Sequence, residues 1–209
     1  YLDSANSSQK PKVVIDKISS FYETEYSNVG RSVHSLAVKA TNRFEATRDK
    51  IQKYLNAKHR EEIIFTKGAT EAINLVASSY GKKYVKKGDE VLITELEHHS
   101  NYVPWNYLRT DKGAVIKFAQ VNENGDVEIE EIKKLITNKT KIIAITHISN
   151  VTGAILPITK IVELAKEKNI PVLIDGTQGA PHSEIDMQKI GCDFYAISCH
   201  KMYGPNGLG

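Results

Sequence analysis

The length, composition and charge of the chain indicate a globular protein and exclude several other classes. Its 209 residues suffice for one large domain or two small ones, and 41% of them are hydrophobic, which is ordinary for a globular fold. The formal net charge of +3 comes from interspersed lysines and acidic residues, with no block of five like charges, so we expect no nucleic-acid partner. No apolar run reaches the roughly 20 residues needed to span a bilayer, so we expect no membrane segment.

The cysteines and the first residue bear on the compartment. Cys192 and Cys199 lack CxxC spacing, which favours a reducing compartment over a disulfide framework. The chain begins at Tyr1 rather than methionine, which is compatible with the removal of a leader sequence. We therefore expect a cytoplasmic protein, or a plastid or mitochondrial one if a leader was removed.

Hydrophobic periodicity predicts helices in the first part of the chain. Residues 11–26 have helical spacing and begin with a proline suited to a first turn, whereas 27–35 read as a loop. Apolar residues recur at helical spacing over 36–55 and predict a long helix. A short strand is predicted at 61–66, followed directly by an apolar helix at 68–80.

From residue 90 onward, strand-like runs alternate with helical stretches. Continuous apolar runs imply strands that are buried on both faces. The sequence therefore predicts an α/β fold with three layers, in which helices cover both faces of a mainly parallel sheet. The predicted strands are 90–94, 114–121, 141–149, 171–175 and 193–198, and helical stretches at 130–136 and 158–169 lie between some of them.

The unusual polar residues of the chain are concentrated where the predicted strands end. In open parallel sheets, functional groups gather beyond the carboxyl ends of the strands. This rule selects five stretches, 66–70, 95–101, 147–153, 175–178 and 198–201.

Two of these strand ends carry charged residues of opposite sign. Lys201 follows the last predicted strand, where apolar neighbours would lower the pKa of its amine and leave it free to form a Schiff base. A lysine whose amine simply reaches solvent is the alternative. Asp175 ends an apolar strand and needs a cation, such as a protonated ring nitrogen, if it is buried. A helix-capping or turn aspartate is the alternative there.

Two other stretches offer groups for binding an anion and for stacking on a flat ligand. Gly68, Ala69 and Thr70 lie where a predicted strand passes into a helix, so that free backbone N–H groups can hold a phosphate; a plain capping region is the alternative. His98 and the neighbouring His99 could serve as a stacking ring, as metal ligands or as surface residues without a role, but no HExxH or CxxC pattern supports a metal.

These elements together describe one cofactor. A Schiff-base lysine, a carboxylate for a ring nitrogen, a phosphate cradle and a stacking histidine are the groups that pyridoxal 5′-phosphate requires. None of them predicts this cofactor alone, whereas their occurrence at successive strand ends does.

The sequence also resembles a known family, the cysteine desulfurases of class V of the aminotransferases, which have fold type I. It looks most like the branch that mobilises sulfur for iron–sulfur cluster assembly, in which selenocysteine lyases also fall. The resemblance covers the whole chain and rests on the stretches YLDSAN, GATEAINLVA, GDEVLITELEHHSNYVPW, ISNVTGAILP, IDGTQGAPH and DMQKIGCDFYAISCHKMYGPNGLG.

The resemblance implies a role for each of nine residues. Lys201 would bind the cofactor covalently and remove the Cα proton of the substrate, and Asp175 would pair with the pyridine nitrogen. His98 would stack on the ring and shuttle protons. The ring oxygen would be contacted by Gln178 and Asn150, and the phosphate would be bound by Thr70, the backbone of Ala69, Ser198 and His200.

By the same resemblance, the whole protein would remove sulfur from L-cysteine to give alanine and an enzyme persulfide, and it would pass the sulfur to an acceptor protein. The family's persulfide cysteine lies well downstream of Lys201, so Cys199, which replaces a common glycine, is not expected to be the nucleophile. A selenocysteine lyase or another class V enzyme, and a non-catalytic subunit that keeps the fold, are the alternatives.

The resemblance further predicts how the protein is organised. Residues 1–20 would form an N-terminal arm, and 21–209 would form an incomplete large domain that binds the cofactor. The small C-terminal domain of the family would lie outside this chain. Members are generally homodimers, so we expect a homodimer of the whole protein, and the 209-residue fragment itself is expected to be inactive.

Overall fold

The apolar runs in the second half of the chain form one parallel sheet in the computed structural model, which describes residues 1–209. The strand order across the sheet is β2-β1-β3-β4-β5, and every neighbouring pair is parallel. The strands are β1 (Glu90–Thr94), β2 (Val115–Ala119), β3 (Thr140–Thr146), β4 (Val172–Asp175) and β5 (Phe194–Ala196). Each of these strands falls within or beside a predicted run, so the predicted parallel sheet is confirmed.

Helices precede the sheet and connect its strands. They are α1 (Lys12–Thr24), α2 (Ser35–Tyr54), α3 (Ala69–Val76), α4 (Lys82–Tyr84), α5 (Val103–Lys112), α6 (Ile129–Leu135), α7 (Ile158–Glu167), α8 (Gly179–His182) and α9 (Met187–Ile190). A π-helical segment (Ala77–Gly81) joins α3 to α4, and short 3₁₀ turns occur at Arg60–Glu62, His99–Asn101 and Cys199–Lys201. No helix combines the length and the apolar character that crossing a bilayer requires.

Alternating residues of the central strands fill two separate cores, one on each face of the sheet. Val91 and Ile93 of β1 pack in the same cluster as Ile73 of α3. Leu92, between them, packs in the cluster that contains Ile161 of α7. All five side chains are completely buried, so the sheet lies between two helical layers, and the predicted α/β/α architecture is confirmed.

The prediction that all strands are buried on both faces is wrong for β2. Strands β1 and β4 are buried throughout, and β3 nearly so, whereas Val115 and Phe118 of β2 are 44% and 41% exposed. The physical reason is position, since β2 pairs only with β1 and forms the edge of the sheet. An apolar run does not by itself distinguish an edge strand from a central one.

The predicted strand at residues 61–66 is also wrong. Its first residues belong to a 3₁₀ turn, and the remainder is irregular. Only Thr66 has an extended backbone partner, exchanging two hydrogen bonds of 2.8 Å with Gly209. A strand requires a partner along its length, and local sequence does not report whether one is present.

The direction in which successive strands are added to the sheet reverses after β2. The chain passes from β1 to β2 on one side, whereas β3 pairs with β1 on its other side. At such a switch point the loops after neighbouring strands diverge and leave a crevice at the carboxyl edge of the sheet.

Candidate active site

A cavity of about 190 Å³ lies at the carboxyl edge of the sheet. All nine residues that the sequence analysis assigned to the cofactor line it, together with five that it did not assign. The predicted ones are Ala69, Thr70, His98, Asn150, Asp175, Gln178, Ser198, His200 and Lys201, and the additional ones are Asn6, Ser100, Thr146, Ile148 and Thr177. The structure thus brings the predicted residues together, while the role of each stays a prediction.

Lys201 reaches the cavity from the 3₁₀ turn that follows β5. Its side-chain amine forms neither a hydrogen bond nor an ion pair, although Asp175 lines the same cavity. Burial lowers the pKa of Lys201, while the negative charges of Asp175 and Asp3 oppose this shift. A half-buried amine with a lowered pKa is a better nucleophile than a solvated lysine.

Asp175 is the last residue of β4 and is only 4% exposed. One carboxylate oxygen accepts a hydrogen bond of 3.0 Å from the backbone N–H of Thr177, which is the only hydrogen bond to this carboxylate. A carboxylate can accept about four hydrogen bonds. Asp175 therefore retains acceptor capacity that a cationic N–H group of a ligand can use.

The N-terminus of α3 forms another wall of the cavity. Gly68 precedes the helix with φ 153° and ψ 175°, a backbone region open essentially to glycine alone. The N–H of Ala69 donates to the Ser198 hydroxyl at 2.8 Å, and the hydroxyls of Thr70 and Ser100 lie 2.8 Å apart. N–H groups in the first helical turn have no partner inside the helix, and together with these hydroxyls they suit an anionic ligand.

His98 is held by the turn that follows it. Its Nδ1 accepts a hydrogen bond of 3.1 Å from the backbone N–H of Ser100 and lies 3.0 Å from the Ser100 hydroxyl. Because a backbone N–H can only donate, Nδ1 is unprotonated, and the neutral ring carries its proton on Nε2. The ring of His99 stands at 83° to that of His98, and no group of three metal-ligating side chains occurs.

Residues near the N-terminus pack against His200 and Gln178, which line the cavity. The backbone oxygen of His200 accepts hydrogen bonds of 3.0 Å from both the N–H and the hydroxyl of Ser8, and one of 2.9 Å from the Lys10 amine. Burial and two nearby lysine charges lower the pKa of His200. The side-chain N–H of Gln178 donates to the backbone oxygen of Ala5 at 2.7 Å.

Both cysteines are free thiols and are partly buried. Burial, with a smaller effect of the Asp193 charge, raises the pKa of Cys192 to about 12. Burial also raises the pKa of Cys199. The thiolate is the reactive form, so neither side chain is suited to act as a nucleophile near neutral pH.

Two features of the site were not predicted from the sequence. Thr177 lines the cavity, and its hydroxyl is buried and has no hydrogen-bond partner. Glu97, next to His98, accepts hydrogen bonds from three other residues, one of which is Thr146 at the end of β3. Both Thr177 and Glu97 lie inside the stretches selected by the strand-end rule, but no local pattern marked them.

The donor set of the cavity fits pyridoxal 5′-phosphate. An amine without a partner, a buried carboxylate with spare acceptor capacity and a helix N-terminus beside hydroxyl groups match its aldehyde, its ring nitrogen and its phosphate. The unpaired hydroxyl of Thr177, a residue of the cavity lining, is a further group that a polar ligand could satisfy.

Sheet topology and cavity position define the large-domain fold of the fold type I pyridoxal-phosphate transferases. The family model described as Aminotransferase class-V matches residues 1–209, and the chain belongs to this family.

Relatives that are named cysteine desulfurases match the whole chain. A probable cysteine desulfurase of Halalkalibacterium halodurans is 48% identical over 209 residues, which are 100% of this chain and 52% of that protein. The crystal structure of the cysteine desulfurase CsdA of Escherichia coli matches with a TM-score of 0.91 and 38% identity, covering 100% of this chain and 52% of that one. A structure described as SspA in complex with cysteine matches with a TM-score of 0.92 and 28% identity, covering 100% and 59%. The chain thus spans about half the length of the relatives that it matches.

Proposed function

We propose that the protein containing this chain is a pyridoxal-phosphate cysteine desulfurase. It would convert L-cysteine to L-alanine, retain the sulfur as an enzyme persulfide and deliver it to an acceptor protein for iron–sulfur cluster assembly. The observation that supports this proposal most is the convergence of the nine predicted residues on one cavity. Similarity to proteins named cysteine desulfurase and to a structure that contains cysteine also supports it.

Lys201 and Asp175 would hold the reacting parts of the cofactor. Pyridoxal phosphate supplies, when bound, an aldehyde that combines with an amine and a ring that accepts electrons from a Cα–H bond. The amine of Lys201, made nucleophilic by burial, would bind the aldehyde and later take the Cα proton of cysteine. The carboxylate of Asp175 would keep a proton on the ring nitrogen.

The other predicted residues would orient the cofactor. The N–H of Ala69 and the hydroxyl groups of Thr70 and Ser198 surround the N-terminus of α3 and would bind the phosphate, with His200 beside them. His98, fixed by Ser100, would lie over the ring and move protons through Nε2.

Asn150 and Gln178 would contact the ring oxygen. The side-chain N–H of Gln178 that donates to Ala5 leaves its second N–H for this contact.

The sulfur-accepting thiol would lie outside this chain. Burial raises the pKa values of Cys192 and Cys199, which disfavours both thiols as nucleophiles. The chain spans about half the length of its relatives, so the proposal assigns the nucleophile to the remainder of the protein.

The proposed organisation keeps residues 1–20 as an arm and 21–209 as part of the cofactor-binding domain. Hydrogen bonds of Ser8 and Lys10 to His200 support an arm that packs on this domain. We further propose a homodimer, which light scattering of the whole protein would test, and a cytoplasmic location unless a leader is removed.

The decisive experiment uses the whole protein with and without added pyridoxal phosphate. We expect visible absorbance of the bound cofactor and, with L-cysteine and a reductant, equal amounts of alanine and sulfide. Lys201→Ala should abolish the covalent link and lower turnover by at least about 10³-fold, because it removes both the nucleophile and the base.

Lys168→Ala is the matched control, since Lys168 is an exposed lysine at the end of α7. This variant should retain the wild-type absorbance and turnover. A wild-type protein that binds no cofactor, or one that binds it and yields no alanine from cysteine, would refute the proposal.

A further inference from the structure

Glu97 lies between β1 and the turn that carries His98, and its carboxylate is enclosed by donors from three elements. The Thr94 hydroxyl approaches Oε1 at 2.7 Å, and the backbone N–H of Thr146 donates to the same oxygen at 2.9 Å. The side-chain N–H of Asn101 donates to Oε2 at 2.7 Å. The side chain is partly buried, so these partners replace water.

Two of these contacts have a fixed direction. The indole N–H of the fully buried Trp105 donates to the side-chain oxygen of Asn101 at 3.0 Å. Because tryptophan can only donate, the amide of Asn101 must present its N–H groups to Glu97. The backbone N–H of Thr146 can also only donate, so both oxygens of residue 97 must act as acceptors, which a carboxyl group permits and a side-chain amide does not.

The elements that Glu97 joins carry two groups assigned to the cofactor. Thr146 lines the cavity and pairs in register with Asp175 on the adjacent strand. Asn101 closes the turn of His98, since its N–H donates to the His98 oxygen at 2.8 Å. Glu97 therefore connects the strand ends beside Asp175 to the turn beside the predicted stacking ring.

We propose that Glu97 is a positioning residue that fixes His98 relative to Asp175 and thereby sets the gap in which the cofactor ring lies. This inference rests on the proposed function, because the gap matters only if a flat ring occupies it. It concerns a side chain that lies outside the cavity lining and acts through Thr146 and Asn101.

The hydrogen bonds that join Glu97 to Thr94, Asn101 and Thr146 are called the clamp. The clamp can persist whether Glu97 is protonated or ionised. Burial, and to a smaller extent the Asp175 charge, raises the pKa of Glu97 to about 8, against three hydrogen bonds that lower it. When Glu97 is protonated, its O–H can point to the Thr94 hydroxyl, which can accept it while both carboxyl oxygens still accept from Asn101 and Thr146.

The test exchanges the carboxyl group of residue 97 and the amide group of residue 101. In Glu97→Gln, the new NH₂ group must face either the N–H of Thr146 or that of Asn101, so one donor loses its acceptor. In the double variant Glu97→Gln/Asn101→Asp, the NH₂ group faces a carboxylate that can still accept from Trp105, and the full pattern returns. Glu95→Gln is the matched control, because Glu95 is exposed and accepts from one backbone N–H.

Two measurements on the whole protein read the clamp separately. Hydrogen–deuterium exchange of the Thr146 amide is measured without cofactor, and pyridoxal phosphate affinity is measured by absorbance titration with circular dichroism of the bound cofactor. We expect Glu97→Gln to speed the exchange and to weaken binding, each about tenfold, because one buried donor is left unpaired. The double variant should return both values to within about threefold of wild type, and Glu95→Gln should change neither.

The inference fails if Glu97→Gln matches wild type in both measurements, or if the double variant is as impaired as the single one. Failure of the proposed function is distinguishable, because it appears as a wild-type protein that does not bind pyridoxal phosphate. The Thr146 exchange in cofactor-free protein would still decide whether Glu97 holds the end of β3.

Discussion

Thr177→Val is expected to stabilise the cofactor-free protein, an unusual direction for a substitution beside an active site. The hydroxyl of Thr177 is buried without a hydrogen-bond partner, and a buried polar group in that state costs about 1–3 kcal/mol. Valine keeps the shape and removes the unpaired group. The free energy of unfolding of the cofactor-free whole protein should therefore rise by about 1 kcal/mol, measured by urea denaturation.

Thr140→Val provides the matched comparison, because it is the same substitution at a buried hydroxyl that is fully paired. Thr140 is 5% exposed, and its hydroxyl accepts from the N–H of Thr137 at 2.9 Å and donates to Glu90 at 3.2 Å. Valine at this position leaves the Thr137 N–H without an acceptor and removes one donor from Glu90, which keeps the Thr137 hydroxyl and Lys117 as partners. The free energy of unfolding should fall by about 1–3 kcal/mol.

The cofactor should remove the stability advantage of Thr177→Val. Thr177 lines the cavity, so we expect a polar ligand bound there to reach its hydroxyl and to give it the partner that it lacks. In the presence of pyridoxal phosphate, the gain in stability on binding should therefore be smaller for Thr177→Val than for wild type, by about 1 kcal/mol. If Thr177→Val destabilises the cofactor-free protein as much as Thr140→Val does, the missing hydrogen bond of the Thr177 hydroxyl does not determine the change in the free energy of unfolding.

Two further predictions concern residues close to the cavity. Gly179→Ala should lower the free energy of unfolding, measured in urea, by about 2–4 kcal/mol. The added Cβ would lie 2.2 Å from Nδ1 of His147, whose ring is held by a hydrogen bond of 2.9 Å to a tyrosine. Unchanged stability would contradict this packing. The second prediction concerns pH. Between pH 4.5 and about 8, native Glu97 keeps a proton that the unfolded chain releases. The free energy of unfolding should therefore fall as the pH rises, with a slope of at most about 1.4 kcal/mol per pH unit from this group. Glu97→Gln should flatten the dependence of the urea midpoint on pH over that range, and an unchanged slope would show that Glu97 is already ionised there.

The parts of the fold that could be predicted from sequence are those that local pattern determines. The strand at 90–94 was predicted with its observed bounds, because its residues are apolar and β-branched and are bounded by Gly88-Asp89 and by polar residues. Residues 61–66 have a similar pattern but lack a strand partner beyond Thr66. Pairing is a tertiary property, so periodicity could not separate the two cases.

The residues of the site could be predicted from the sequence where they follow a strand. Parallel strands align their carboxyl ends, so the strand-end rule collected Asp175, His98 and Lys201 although they lie far apart in the chain. Asn6 lines the same cavity but precedes every strand, and the rule could not select it. Its position depends on contacts between the N-terminal arm and the turn after β5.

Residues that bind a ligand are easier to predict from a sequence than the residues that hold them in place. Glu95 and Glu97 flank the same leucine and are chemically identical. Glu95 is exposed and accepts a hydrogen bond from Val121, whereas Glu97 accepts from three groups. Two of these donors are local, whereas the third, Thr146, is 49 residues away along the chain and is brought into contact by the pairing of β1 with β3. A supporting residue of this kind becomes recognisable only when the sheet is assembled, so its function must be inferred from three-dimensional contacts.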